Sequence, residues 1–107
     1  LRIRALPNFW NHSSCDHCVT TRLNPTGTHS TQARVIWLVH KDAVEGRDYH
    51  LEELMPFWQL TSEQDWVICK IAQLGIRSSA YQPGPYSTYK EYNVEAFVRW
   101  YLELISR

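Results

Sequence analysis

The sequence has no long apolar run, no excess of charge and few cysteines, and each shortage closes off a class of function. No stretch approaches the ~20 apolar residues that a membrane span requires, and no secretory leader is visible. Its 11 basic and 11 acidic residues cancel to zero net charge and form no basic cluster. Electrostatic capture of nucleic acid or of an anionic membrane surface therefore has no support. Cys15, Cys18 and Cys69 are an odd, sparse set. They do not make a secreted disulfide framework, and a reducing cytoplasm is the expected setting. The G-x-S-x-G nucleophile elbow is missing, as are internal repeats and low-complexity tracts.

What is present suits one modest domain. At 107 residues, 44% of them hydrophobic, a core can form, but the margin is thin unless a neighbour covers one side. Five Trp and six Tyr are many for this length; they fit an aromatic-lined pocket or interface as well as large core side chains. The chain opens on Leu1 rather than Met, in what reads as a strand, as though cut from something longer.

The first forty residues read as strands. Leu1 to Leu6 alternates weakly until Pro7-Asn8, and Phe9 to His12 is short and aromatic. Asp16 to Leu23 alternates, Asn24-Pro25-Thr26-Gly27 is predicted as a turn, and Thr31 to His40 follows. The centre of that last strand, Val35-Ile36-Trp37-Leu38-Val39, is apolar on both faces, as in a strand covered on both sides or facing an enclosed pocket. Short connections imply an antiparallel sheet. The period then changes. Asp42 to His50 is a polar loop, and Leu51 to Leu60 a short helix that Pro56 must kink or split. Thr61 and Gln64 have capping-box spacing, so a new helix is predicted from there to Leu74, stopping at Gly75. Ser78 to Ser87 is irregular. A last helix from about Asn93 carries the apolar stripe Val94, Phe97, Val98, Tyr101, Leu102 and Ile105. Strands followed by helices make the fold class α+β.

Four groups of residues invite a chemical reading. Cys15-Asp16-His17-Cys18 offers Cys-x-His, half of a Rieske cluster, but the second half, Cys-x-x-His, is nowhere in the chain. A tetrahedral zinc site lacks ligands at ordinary spacing, so a strand start with incidental thiols is the simpler account. Asp65 heads an apolar helix face with Ile68, Cys69 and Ala72. Either it is a first-turn acid favoured by the helix dipole, or it points into a cavity where a cation offsets its charge. A ferrous iron bound by two imidazoles and one carboxylate would be such a cation; none of His12, His17, His29, His40 and His50 forms an obvious pair. The acidic loop Asp42-Ala43-Val44-Glu45-Gly46 suits ordinary loop chemistry, a pocket rim or the binding of a cation. Trp10, Trp37, Trp58, Trp66, Tyr81 and Tyr86 suit core packing or a cage for a quaternary ammonium.

Several blocks together resemble the large (alpha) subunit of Rieske non-heme iron oxygenases. They are Pro7-Asn8-Phe9-Trp10, Asp16-His17, Trp37 through Tyr49, Gln64-Asp65-Trp66, Gln73-x-Gly75-x-x-Ser78, Tyr81 through Ser87, and Phe97-Val98-x-Trp100-Tyr101. The Asp42-Ala43-Val44-Glu45-Gly46-x-Asp48-Tyr49 stretch is most similar to the glycine betaine demethylase and carnitine monooxygenase branch. The resemblance implies a helix-grip (START-like) domain, an antiparallel sheet followed by helices with a long C-terminal helix. Residues 1–107 are then the C-terminal portion of the catalytic domain, with the Rieske domain and the segment bearing two His ligands absent. It further implies that Asp65 is a ligand of a mononuclear non-heme Fe(II), and that the parent carries a [2Fe–2S] Rieske cluster fed by a ferredoxin or flavin reductase. A homo-oligomer, commonly a trimer, and hydroxylation or N-demethylation of a small substrate with O2, or dihydroxylation of an aromatic ring, are also implied. The isolated piece would be inactive. The competing readings are a helix-grip ligand-binding module with no redox role and a pure interaction piece.

Overall fold

Alternating strands joined by short turns build the first half, and the computed structural model describes all 107 residues. Strands β1 (Arg2–Ala5), β2 (Phe9–Ser13), β3 (His17–Gly27) and β4 (Ser30–Val39) lie in sequence order in one sheet. Every pairing is antiparallel. Helices α1 (Leu51–Ile76) and α2 (Tyr92–Ile105) complete the chain, which is therefore α+β. Residues Leu1–Asp42 with Tyr86–Arg107 form one compact unit and Ala43–Pro85 a second.

In the first unit the register sorts side chains between two faces. Arg2, His12, Val19 and Trp37 share one rung, and Arg4, Trp10, Thr21 and Val35 share the next. Side chains two apart on a strand point the same way, so both rungs lie on one face. Val19, 3% exposed, is the only buried apolar residue. On β4 the expected two-sided burial is not found. Val35, Trp37 and Val39 are half-buried while Ile36 and Leu38 on the opposite face are exposed.

The predicted turn at Asn24-Pro25-Thr26-Gly27 is replaced by continued strand, and the chain reverses at Thr28-His29 instead. The physical reason lies in the partners. The β2 ladder ends at Phe9 opposite Arg22, so from Asn24 onward β3 has one neighbour only. Proline's missing N–H is tolerated beside an open edge. The register shift between Pro25 and Gly27 absorbs the remaining misfit.

In the second unit the expectation of two helices is corrected to one of 26 residues. Pro56 lies inside it without ending it. The Thr61 hydroxyl, predicted as a cap, donates instead to the Phe57 carbonyl at 2.8 Å, which is the back-bond of a mid-helix threonine. The helix runs through Gly75, the predicted stop, to Ile76, and Arg77 caps it with its N–H donating to the Gln73 carbonyl. In the first unit, α2 starts one residue before Asn93, with Glu95 and Arg99 paired at 2.8 Å one turn apart. At 14 residues it is shorter than α1, so the long helix is the first one.

Candidate functional site

A group of polar side chains gathers where β1, β2 and β3 meet. The Arg2 Nε–H donates to His12 Nε2 at 3.1 Å, and His17 Nδ1 lies 2.7 Å from an Asp16 carboxylate oxygen. His12 is held below the ordinary histidine range by loss of hydration, then by the positive charges of Arg2 and the terminal ammonium. The hydrogen bond from His17 is the main reason that the Asp16 carboxyl sits below the usual carboxylate range. A neutral imidazole and an ionised carboxylate are the forms this arrangement favours.

Cys18 is turned away from that cluster. Its sulfur accepts from the Ser13 hydroxyl at 3.3 Å and the Asn11 amide at 3.5 Å, on the face opposite His17, because neighbouring strand residues point to opposite sides. The Cys15-Asp16-His17-Cys18 tetrad therefore cannot converge on one ion. All three cysteines are free, and no three His, Cys, Asp or Glu side chains gather closely enough to hold a metal.

In the second unit the loop before α1 is closed on itself. The Val44 N–H donates to Asp48 Oδ2 at 2.9 Å, and the Asp48 N–H returns to the Val44 carbonyl at 2.9 Å. Gly46 has φ +83°, a conformation costly for any residue with a Cβ. Arg47 pairs with Asp48 at 2.7 Å and its guanidinium keeps that carboxyl below the usual carboxylate range. The acidic residues of this loop are thus largely engaged in its own structure. Sequence reasoning missed the role of Asp48, whose carboxylate reaches back four residues to the Val44 N–H, against the forward direction of the usual Asp turn signal.

Asp65 lies deep within α1, well beyond the first turn, where Glu52 and Glu53 are the acids. The helix-dipole explanation for this residue therefore falls away, since the effect fades within one turn. Asp65 is exposed and belongs to none of the chain's ion pairs. Ile68 and Cys69, one turn on, are exposed as well. As chemistry, Asp65 is a hard anionic oxygen donor with no competing partner, which fits one position of a ferrous site. The other donors of such a site are not assembled by these residues.

The model of the ring-hydroxylating alpha subunit (catalytic domain) matches residues 2–107. The chain belongs to this family. Among curated proteins, it is 47% identical over 108 residues to the glycine betaine monooxygenase oxygenase subunit of Chromohalobacter salexigens, across 100% of this chain. It is 45% identical over 103 residues, 96% of this chain, to the proteins of the same description from Pseudomonas aeruginosa strains UCBPP-PA14 and PAO1. In each case the chain spans 24% of the relative's length. Family membership makes the sheet and both helices part of an oxygenase catalytic domain, and the Rieske-type resemblance of the sequence blocks holds. No helix is long and apolar enough to cross a membrane.

Proposed function

We propose that these residues are the C-terminal, Asp-bearing part of the catalytic domain of a Rieske-type oxygenase acting on a small quaternary amine such as glycine betaine. The observation that carries the reading is the 45–47% identity, along nearly the whole chain, to relatives described as glycine betaine monooxygenase oxygenase subunits. A ligand-binding module without redox chemistry is not favoured by relatives of that description.

Asp65 would hold one side of a mononuclear Fe(II), with two imidazoles supplied from elsewhere in the parent chain. The carboxylate stands outside every ion pair of the chain, which leaves its lone pairs free for a metal. When bound, the iron supplies dioxygen activation, drawing electrons that a reductase delivers through a [2Fe–2S] cluster. The overall balance is one N-methyl group, O2, two electrons and two protons giving the demethylated amine, formaldehyde and water. Asp65 contributes negative charge against the metal and geometry at one face. The apolar side chains beside it, Ile68 and Ala72, would keep water from the carboxylate once covered. A cytoplasmic homo-oligomer, of the trimeric kind implied by the resemblance, completes the proposal.

The test is metal analysis of the full-length subunit with and without Asp65→Ala, alongside formaldehyde release from glycine betaine with O2 and a reductase. Loss of mononuclear iron together with loss of formaldehyde is expected. Unchanged iron content with continued turnover would overturn the assignment.

A further inference from the structure

The Trp37 indole Nε1 is sealed from solvent and has no hydrogen-bond partner. Buried indole N–H groups normally find an acceptor, so an orphaned one calls for an explanation. Its surroundings narrow the choice. On its rung stand Val19 and His12, and Val35 and Val39 flank it on the same face of β4. Valine side chains offer no acceptor. His12 Nε2 already accepts from Arg2.

The face is also electrically one-sided. The charged side chains on these two rungs are Arg2 and Arg4, at the β1 edge, while the carboxylate of Asp16, just before β3, is held by His17. An incoming acceptor that is negatively charged is therefore favoured over a neutral one. Trp10 occupies the adjacent rung two strands away, roughly 10 Å across the sheet. Its ring is partly exposed and presents a π surface suited to a quaternary ammonium.

We infer that Trp37 is a substrate-binding residue whose indole N–H anchors the carboxylate of a zwitterionic quaternary amine, with the Trp10 ring toward the cationic end. This rests on the quaternary-amine reading above and deepens it, since it selects amines that carry a carboxylate over those that do not. The side chains that cover the indole N–H must part to admit the carboxylate, so the hydrogen bond forms only in the complex and its worth appears as discrimination between substrates.

The experiment compares equilibrium binding of glycine betaine and of choline, which lacks the carboxylate, to the full-length subunit and its Trp37→Phe variant by calorimetry. Trp37→Phe keeps an aromatic ring and removes the donor. The dissociation constant for glycine betaine should rise roughly tenfold or more, the usual scale for a hydrogen bond to a charged group. That for choline should stay within about twofold of its starting value. Equal losses for both amines, or no loss for glycine betaine, overturn the inference and leave the substrate reading standing. If neither amine binds the unaltered subunit, the substrate reading fails and takes this inference with it. Should Trp37→Phe not melt cooperatively, a benzothiophene side chain at position 37, which exchanges N–H for sulfur at nearly constant shape, gives the same comparison.

Discussion

The sheet and helix α1 are opposite solutions to the same composition. The sheet satisfies its backbone between neighbours, buries Val19 and half-buries Val35, Trp37 and Val39 on one face. Helix α1 satisfies its backbone internally, yet buries none of its side chains. Phe57, Ile68, Ile71 and Leu74 are all at least 64% exposed. Those residues cost solubility where they stand, and apolar surface on this scale ordinarily marks a face made for contact. The difference teaches where the information in this chain is directed. The sheet is organised chiefly by contacts among its own strands, whereas α1 presents Asp65 among apolar side chains suited to meeting other protein.

The comparison breaks most sharply at Asp65. In the full-length subunit, Asp65→Ala should lower turnover at least a hundredfold, since loss even of a group that only orients a metal ligand costs ~10- to 100-fold. In the 107-residue chain the same substitution should leave thermal stability within about 0.5 kcal/mol, as for any exposed residue without partners. A large loss of stability there, read by thermal melting, would make Asp65 a structural residue. Next comes a matched pair of truncations. Val19→Ala removes buried methyl groups and should cost about 1–3 kcal/mol in denaturant unfolding. Ile71→Ala removes exposed ones and should cost less than about 0.5 kcal/mol in this chain. If the two costs are equal, the contrast between sheet and helix is wrong.

Much of this organisation was legible because periodicity is a local signal. The alternation from Asp16 to Leu23 and the stripe from Val94 to Ile105 each follow from side-chain direction within one element. The errors fell where a partner or a competing bond decides. Pro25 reads as a turn because proline usually breaks a ladder, but at an open edge nothing is broken. Thr61 with Gln64 has the spacing of a cap, yet the hydroxyl finds a carbonyl inside a helix already under way. The role proposed for Asp65 came only from resemblance. Its spacing gave an acid on an apolar face, and the dipole account of that acid depended on a helix start that does not exist. The Trp37 N–H was not legible at all, since an unmet donor is a property of three-dimensional surroundings rather than of sequence.

The loop that joins the two regions allows a finer test. Gly46→Ala places a Cβ in open space, with nothing within 4 Å, so packing is not at issue. The cost is the positive φ alone, about 1–2 kcal/mol, measurable by thermal melting. A neutral result would mean that the loop relaxes freely and that its internal hydrogen bonds do not fix the lead into α1.

The smallest expected effect separates the regions by pH. His12 in the sheet has its folded-state proton affinity lowered, so the unfolded chain binds the proton first as pH falls. Stability contributed by the neutral imidazole is then fully present above about pH 6.5, the ordinary histidine value. It declines as pH drops through the lower folded value, when a proton on Nε2 would face the Arg2 guanidinium that now donates to it. Asp48 before α1 is also lowered, by Arg47 and by the Val44 N–H. It is a carboxylate, however, so its contribution persists until about pH 3.9 and is lost only below that. Hydrogen exchange between pH 7 and pH 5 should therefore quicken at the amides pairing β1 with β2 while the Gly46 and Asp48 amides hold their protection after correction for intrinsic rates. Replacing His12 with Asn, which keeps an acceptor but does not titrate, should abolish the change in the sheet. If both regions loosen together, the pH response belongs to the chain as a whole and the Arg2–His12 bond is not its source.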